Sequence, residues 1–392
     1  MLYVVRACFA WLVVLLVGSA AAAQTVARCG QGFLEEIDGY RVLHVKGTPY
    51  EMGYQHGALL KEHIQKNVDY LFNVKAKQKA LKFMGVELDP KQLISLIVAI
   101  QRPHMPKRFL EELRGVADGA ECPLEDAMVA NFIPELFHCS GFAVMNSATT
   151  DGTLYHGRVL DYSIDWQLQE HAVLMVAEPE GRVPFVNVTY SGFIGSVTGM
   201  NAEHVSVGEM GGGGRGHWGG TPMAFLVRRV LEEATTLDEA VAIFRDSKRT
   251  CEYYYVVADG DENSAVGLAA HWNTFELVKP GEAHPRLPEP TNDTVLLSAG
   301  DRYKELARRV REEAGSLDAE RALHLMDCPV AMKSNLHNVL FEPRSTKLWV
   351  ANASPDGQPA ATQKYFAFQL SELLKRQPDD AAKEIPLKVA SN

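Results

Sequence analysis

Cys139 opens a predicted strand and is followed at short spacing by two charged residues. An Asp-Gly dipeptide at 151–152 predicts a tight turn, and the strand after it carries Arg158 and, at its expected end, Asp161. Adjacent strands of a hairpin bring such side chains within reach of one another. A cation beside a thiol lowers its pKa and favours the nucleophilic thiolate. The pattern predicts a cysteine nucleophile, with a carboxylate that orients an amine or a substrate amide.

Short motifs surround Cys139 in a fixed order. Two lie upstream, Gly-Tyr-Gln-His-Gly at 53–57 and Glu-Leu-Arg-Gly-Val-Ala at 112–117. Three follow, Cys-Ser-Gly-Phe-Ala at 139–143, Asp-Gly at 151–152 and Gly-Arg-Val-Leu-Asp at 157–161. Together they resemble the cysteine-dependent N-terminal-nucleophile hydrolases, above all the isopenicillin-N acyltransferase family. Penicillin V acylase, bile salt hydrolase, acid ceramidase and N-acylethanolamine amidase are similar at greater distance.

The resemblance implies a self-cleaving enzyme. Its thiol, on Cys139, attacks the preceding carbonyl and the His138–Cys139 bond breaks. The new α-amine, which titrates at about pH 8, then acts as the base for its own thiol. The implied substrate is a small N-acyl amide, whose acyl group forms a thioester and passes to water (hydrolase) or to an amine (acyltransferase). No cofactor is expected, and the two fragments are expected to remain associated.

Two further site residues follow from the same resemblance. Glu209 corresponds to a glutamate that related amidases carry after a glycine-rich strand pair, and a solvent-exposed strand carboxylate is the alternative interpretation. The oxyanion-binding asparagine of the family, often within Thr-Asn-His, has no match at 296–301, which reads Leu-Leu-Ser-Ala-Gly-Asp. Asn335 is the amide donor expected in its place, with Asn338 and Asn292 as the other candidates.

The elements that must position these residues change type at Cys139. Hydrophobic periodicity predicts extended chain at 24–50, then a helical region from about 50 to 83 and further helices before Cys139. After Cys139 strands predominate, separated by turn dipeptides, and consecutive strands favour antiparallel sheets with helices stacked on them. Helices are predicted at 222–234, 237–246, 301–314 and 317–326. The fold class is α+β, and the resemblance implies a four-layer αββα sandwich.

Three parts are expected along the chain: a signal peptide at 1–23, a mostly helical N-terminal segment at 24–138 and the catalytic part at 139–392. The apolar run at 9–17 is short for a membrane span, and the alanines before Gln24 suit a signal peptidase. An uncleaved anchor helix is the alternative. The protein is expected to be secreted or periplasmic, without stable membrane insertion after removal of the signal.

Composition narrows the possible partners. The 392 residues are 46% hydrophobic and carry a net charge of -10 without a long basic run, which argues against a nucleic-acid partner. Five cysteines follow the signal, and an odd number in an exported chain predicts one free thiol and up to two disulfides. The histidines show no metal-ligand spacing, so no metal is expected.

Two other interpretations remain open. A conventional cysteine-histidine hydrolase would need a histidine such as His337 or His156 beside Cys139. A non-catalytic exported binding protein would use Cys139 only for packing, as a small buried apolar residue. Self-cleavage separates both of these from the first hypothesis, because neither predicts two fragments.

Overall fold

The computed structural model describes residues 24–75, 81–83, 86–88, 90–133, 138–213, 216–285 and 287–388. The predicted signal peptide therefore lies outside the described residues. The strands in chain order are β1 (Gln24–Cys29), β2 (Gly32–Ile37), β3 (Tyr40–Gly47), β4 (Leu81–Phe83), β5 (Val86–Leu88), β6 (His138–Asn146), β7 (Gly152–Asp161), β8 (Ala172–Pro179), β9 (Phe185–Tyr190), β10 (Thr198–Asn201), β11 (Val205–Gly211), β12 (Glu252–Asp259), β13 (Ser264–His271), β14 (Phe275–Val278), β15 (Thr294–Leu297), β16 (Asn335–Glu342), β17 (Lys347–Asn352), β18 (Phe366–Gln369) and β19 (Lys383–Glu384).

Helices lie between these strands along the chain. They are α1 (Pro49–Leu59), α2 (Lys61–Asp69), α3 (Pro90–Gln101), α4 (Lys107–Ala120), α5 (Leu124–Ala130), α6 (Met223–Glu233), α7 (Leu237–Asp246), α8 (Gly300–Glu312), α9 (Ala319–His324) and α10 (Leu370–Leu373). A capping box fixes the start of α1, where Thr48 and Glu51 satisfy each other's backbone N–H groups. The sequence pattern predicted a helix at 237–246, and α7 has the same bounds.

Two large sheets form the centre of the molecule. Among the described residues, eleven strands form one sheet in the order β14-β13-β12-β11-β10-β9-β8-β3-β2-β1-β19, and six form the other in the order β15-β6-β7-β16-β17-β18. Every neighbouring pair in the smaller sheet is antiparallel. The larger sheet departs from the expected antiparallel order at two places, since β3–β8 and β1–β19 run parallel.

The sheets face each other, with β6 and β7 against β11 and β12. Helices α6 and α7 pack on the outer face of the larger sheet, and α8 and α9 pack on the smaller one. Two clusters of buried apolar side chains fill the space between the layers, one extended and one smaller, the latter between β3, β8 and β9 on one side and β16 and β17 on the other. The predicted α+β fold and its αββα layering are confirmed.

The N-terminal segment is more mixed than the sequence predicted. Its first three strands join the larger sheet, where β3 pairs with β8 of the catalytic part. The helical region predicted from about 50 to 83 is helical through α1, α2 and a π-helix at Tyr70–Lys75, but its predicted end was wrong, because Leu81–Phe83 is a strand that pairs with β5. Helical periodicity in this stretch does not distinguish one long helix from several short ones.

Disulfides and membrane spans are absent from the described part of the chain. Cys29, Cys122, Cys139, Cys251 and Cys328 form no disulfide bond with one another, so the expected disulfides are not formed. Of the four besides Cys139, Cys29 ends β1, and the others lie in three separate connecting segments, at Cys122, Cys251 and Cys328. No helix among these residues is long and apolar enough to cross a bilayer.

Candidate active site

The β6–β7 hairpin places the candidate nucleophile. Cys139 pairs with Leu160, and Gly141 pairs with Arg158. Paired residues point to the same face of a sheet, so Cys139 and Arg158 are diagonal neighbours on the face that meets the larger sheet. A Cβ at Gly141 would lie 2.7 Å from Met210 Sδ of that sheet. The missing side chain at Gly141 therefore allows the two sheets to approach closely beside Cys139.

Arg158 and Glu209 form an ion pair between the sheets. Arg158 Nη2 donates to Glu209 Oε2 at 3.4 Å, and both side chains are fully buried. Burial of either charge alone would be costly, so each depends on the other. Gly208 makes room for the pair, because a Cβ there would lie 2.7 Å from Arg158 Cγ. The interpretation of Glu209 as a solvent-exposed carboxylate is wrong.

A cavity of about 460 Å³ opens beside Cys139. Most of its wall is apolar or glycine, and Arg302 is the cation in it; the lining residues are Cys139, Met210, Gly211, Gly212, Tyr254, Leu287, Leu297, Ser298, Ala299, Gly300 and Arg302. This volume is in the usual range for small-molecule sites. Cys139 is 5% exposed, so a ligand in the cavity would reach a sulfur that is otherwise shielded from solvent.

Asp161 lies at the end of β7, as expected, and is held by a residue that the sequence analysis missed. Its carboxylate accepts hydrogen bonds from Arg302 and, at 2.9 Å, from the backbone N–H of Met332. Arg302 also donates to the carbonyl oxygen of Cys139 at 3.4 Å. Burial raises the pKa of Asp161 to about 6, while Arg302 acts in the opposite direction. Arg302 thus joins the carboxylate to the backbone of the candidate nucleophile.

The electrostatic environment of the thiol differs from the sequence-based expectation. Burial raises the pKa of Cys139 to about 12, and Glu209 and Asp161 add to the rise. Arg158 favours the thiolate, as predicted, but its effect is smaller than that of burial. In the uncleaved chain the sulfur is therefore a protonated thiol at neutral pH.

The candidate oxyanion donors lie away from the cavity. Asn335 is buried on β16, and its Nδ2 donates to the carbonyl oxygens of Leu160 and His337 and to Asn338 Oδ1 at 2.9 to 3.3 Å. Asn338 donates in turn to the hydroxyl of Tyr365. Neither these two amides nor Asn292 is among the lining residues. Asn335 is engaged in holding β16 to β7, and the structure does not bring it to Cys139.

The two histidines of the rival hypothesis are engaged elsewhere. His337 lies two strands from Cys139 in the same row, a separation of roughly 10 Å. Its ring nitrogens contact the hydroxyls of Tyr190 and Thr198 at 3.0 and 3.1 Å. His156 lies further along β7 and, like His337, is not among the residues lining the cavity. Burial lowers the pKa of both histidines. This arrangement does not support a cysteine-histidine pair.

Comparison with known proteins finds similarity to the same families that the motifs resemble. The family model described as acyl-coenzyme A:6-aminopenicillanic acid acyl-transferase matches residues 147–282. N-acylethanolamine-hydrolyzing acid amidase of Mus musculus is 24% identical over 177 residues, which cover 42% of this chain and 48% of the amidase. These matches indicate the N-terminal-nucleophile hydrolase superfamily.

Other members of the comparison extend over more of the chain. Protein dcd1B of Dictyostelium discoideum is 24% identical over 381 residues, which cover 86% of this chain and 75% of that protein. The solved structure of the Caenorhabditis elegans N-acylethanolamine-hydrolyzing acid amidase ortholog is 20% identical, with a TM-score of 0.42, and covers 53% of this chain and 93% of that one. The match with the mouse amidase described above spans about half of that enzyme's length. The relatives with named activities are amide hydrolases or acyltransferases.

Within the described ranges, no group of three or more histidine, cysteine, aspartate or glutamate side chains is placed to hold a metal ion. The cavity wall presents the thiol of Cys139 and the guanidinium of Arg302. The carboxylate of Asp161 binds Arg302 outside the lining, and the Arg158–Glu209 ion pair is buried next to Cys139. These groups suit acyl transfer through a covalent thioester.

Proposed function

We propose that this chain is an exported, autoproteolytic cysteine amidohydrolase or acyltransferase that acts on a small N-acyl amide. The observation that supports it best is the position of Cys139. Cys139 is the second residue of β6, directly after His138. It lies in the wall of a mostly apolar cavity and has Arg158 as its diagonal neighbour. A cysteine that only fills the core has no need of a cavity or of a buried ion pair.

Self-cleavage starts at the carbonyl of His138. The sulfur of Cys139 attacks that carbonyl, the C–S bond forms as the C–N bond breaks, and the thiol proton ends on the nitrogen of Cys139. Water then splits the thioester, which leaves a carboxylate on His138 and a free thiol and α-amine on Cys139. The α-amine provides a base beside the sulfur that the uncleaved chain lacks.

Turnover uses the same sulfur. The thiolate of Cys139 attacks the substrate amide, the acyl group forms a thioester, and the amine leaves with the proton taken from the thiol. Water or a second amine then takes the acyl group. The positive charge of Arg158 stabilises the thiolate, and the carboxylate of Asp161 orients the α-amine.

The cavity favours an apolar acyl group. Met210, Leu287, Leu297 and the ring of Tyr254 are the large apolar side chains in its wall, and burial of an acyl chain against them contributes roughly 25 cal/mol per Å². The mouse relative is named for hydrolysis of N-acylethanolamines, which also combine an acyl chain with a small amine. A panel of N-acyl amides that differ in acyl length is therefore the appropriate substrate set.

Processing of Cys139 variants tests the proposal. Wild type is expected to give two fragments that meet at 138/139, Cys139→Ala a single uncut chain, and Cys139→Ser slow cleavage because an alcohol is the poorer nucleophile. Intact mass and N-terminal sequencing measure the outcome. Cleavage of Cys139→Ala at the same bond, or a cleaved wild type inactive on every amide of the panel, would contradict the proposal.

Export has its own test. N-terminal sequencing of the natively expressed protein is expected to show a chain that starts at Gln24, in the periplasmic or extracellular fraction. The small residues before Gln24 are the reason for this expectation. A mature chain that retains residues 1–23 in the cytosolic fraction would remove export from the proposal and leave the proposed chemistry of Cys139 unaffected.

A further inference from the structure

The 191–197 loop of the catalytic part is held partly by its own part of the chain and partly by side chains of the N-terminal segment. It connects β9 to β10. Asn67 donates to the carbonyl oxygen of Ser191 at 3.1 Å, and His56 Nε2 accepts from the backbone N–H of Gly192 at 2.9 Å. Both side chains are about 1% exposed. Polar groups buried this deeply fix the loop, since moving it would leave them without hydrogen bonds.

Asn131 makes more hydrogen bonds to the loop than Asn67 or His56 does. Its Nδ2 donates to the carbonyl oxygens of Ala127 and Gly192 at 2.9 Å, and its Oδ1 accepts from the backbone N–H groups of Ile194 at 2.8 Å and Gly195 at 3.2 Å. The amide thus engages both of its donor hydrogens and both acceptor sites, and the side chain is 2% exposed. It pairs with the loop much as a neighbouring strand would.

The other side of the loop is held by an ion pair that also links the two parts of the chain. Arg228 on α6 donates to the carbonyl oxygen of Ile194 at 2.6 Å. The same guanidinium binds both carboxylate oxygens of Glu112 on α4, at 3.0 and 3.3 Å, and neither side chain is more than 1% exposed. The N-terminal segment therefore contacts the loop directly through Asn131 and indirectly through Arg228.

The loop ends at the residue that supports Glu209. The backbone N–H of Glu209 donates to the carbonyl oxygen of Val197 at 2.9 Å, which is the contact of β11 with the chain just before β10. Glu209 pairs with Arg158, and Arg158 is the diagonal neighbour of Cys139. A displacement of the loop would thus be transmitted to the ion pair beside the nucleophile.

We propose that Asn131 is a positioning residue for turnover. Asn131 and His56 hold the 191–197 loop, and the loop sets the position of Glu209 and through it Arg158. The inference rests on the proposed function. It goes further, because it assigns a role in turnover to particular side chains that lie outside the cavity and do not touch Cys139.

A matched pair of asparagine variants tests this role. Asn201 is the control, because it is equally buried and also makes four hydrogen bonds, at the opposite end of β10. Asn131→Ala is expected to lower kcat of the cleaved enzyme at least about tenfold with KM within about twofold, since the apolar cavity wall is formed elsewhere. Asn201→Ala is expected to lower Tm to a similar degree and to leave kcat within about twofold.

His56 provides a second pair, far in sequence from the bond that breaks. His56→Leu removes the acceptor of the Gly192 N–H and is expected to lower kcat, while His56→Gln, whose Oε1 can take the place of Nε2, is expected to restore most of it. The kcat values of these two variants can be measured even if Asn131→Ala remains uncleaved. Equal losses of kcat in both histidine variants, or in Asn131→Ala and Asn201→Ala, would overturn the inference.

Hydrogen exchange separates this inference from the proposed function. In Asn131→Ala the amides of Ile194 and Gly195 are expected to exchange faster than in wild type, whether or not the protein has amidase activity. Faster exchange with an unchanged kcat would show that the loop is held but positions nothing, and the inference would fail. A wild type without activity on any amide would overturn the proposed function instead.

Discussion

At the scale of single residues, Cys139 is the group whose chemistry depends most on its surroundings. In the uncleaved chain burial holds the pKa of its thiol near 12, well above the ordinary value of about 8.5. Arg158 lowers the pKa of this thiol, but its effect is smaller than the rise caused by burial. Release of the α-amine would change this balance. The neutral amine can take the proton of the thiol, and the ammonium that results is a positive charge beside the thiolate.

Alkylation of a partly processed sample measures that change. The peptide that begins with Cys139 is expected to react with iodoacetamide faster than the peptide in which Cys139 is internal. Cys328, which is exposed, provides the reference thiol in both forms, and the internal Cys139 is expected to react more slowly than Cys328. Mass spectrometry distinguishes the peptides. Equal rates for Cys139 in the two forms would contradict the role given to the α-amine.

Arg302 provides a second prediction at this scale. Burial raises the pKa of Asp161 and Arg302 lowers it, so Arg302→Met should raise that pKa above about 6. If Asp161 acts as a carboxylate, it is then protonated over a wider range, and the acid limb of kcat/KM moves to higher pH. Activity at pH 6 should fall at least about tenfold. Arg308→Met, on the exposed side of the same helix, is the control; an acid limb that Arg302→Met leaves unmoved would count against the role of Asp161.

Asp161 and Arg302 also show where residue-level prediction ends. Arg158 and Asp161 were identified because a hairpin joins them to Cys139 over a short stretch of sequence. Arg302 was missed because it lies on α8 and reaches Asp161 only after β15 has paired with β6. The first contact depends on local turn chemistry and the second on strand order, which a single sequence does not reveal.

At the scale of elements, local patterns predicted the types of most helices and strands but not their partners. The Asp-Gly turn and the alternation after it gave β6 and β7 as a hairpin. The parallel pairing of β3 with β8 has no comparable signal, because the chain between the two strands contains the helical segment and then the β6–β7 hairpin of the other sheet. The site depends on this pairing, since it docks the N-terminal segment against the catalytic part.

Helices α1 and α4 cross at glycines that the sequence carries in two motifs. A Cβ at Gly115 would lie 2.2 Å from the carbonyl oxygen of Tyr50 and 2.7 Å from the backbone nitrogen of Tyr54. Because backbone atoms cannot move aside, Gly115→Ala is expected to cost about 3 kcal/mol in the free energy of unfolding, at the upper end for overpacking. Gly219→Ala is the control, since its nearest neighbour atom is 4.0 Å away.

Denaturant unfolding of the uncleaved Cys139→Ala background measures both glycine variants without interference from processing. Gly219→Ala is expected to stay within about 0.5 kcal/mol of its parent. If Gly115→Ala matched that small change, the two helices would have to be further apart than the structure places them. A fall in the slope of the transition, with little change in midpoint, would indicate partial unfolding of the N-terminal segment alone.

At the scale of the whole molecule, cleavage at 138/139 would not divide the fold along a natural boundary. The larger sheet takes β1, β2 and β3 from one fragment and its other strands from the other. The C-terminal strand β19 then returns to pair with β1, so the catalytic part contacts the N-terminal strands at both ends. Hydrogen bonds of a sheet and a shared core hold these parts together without the peptide bond between them.

The fragments are therefore expected to co-elute in size-exclusion chromatography and to separate only in denaturant. Glu112→Ala would leave Arg228 buried without one of its two carboxylate partners, a change that typically costs about 3 to 5 kcal/mol. This variant should release the N-terminal fragment at a lower urea concentration than wild type. Glu111→Ala, an exposed neighbour on α4, should not. Separate elution of the wild-type fragments in native buffer would mean that the sheet does not survive cleavage, and the positioning role of Asn131 in the mature enzyme would fail with it.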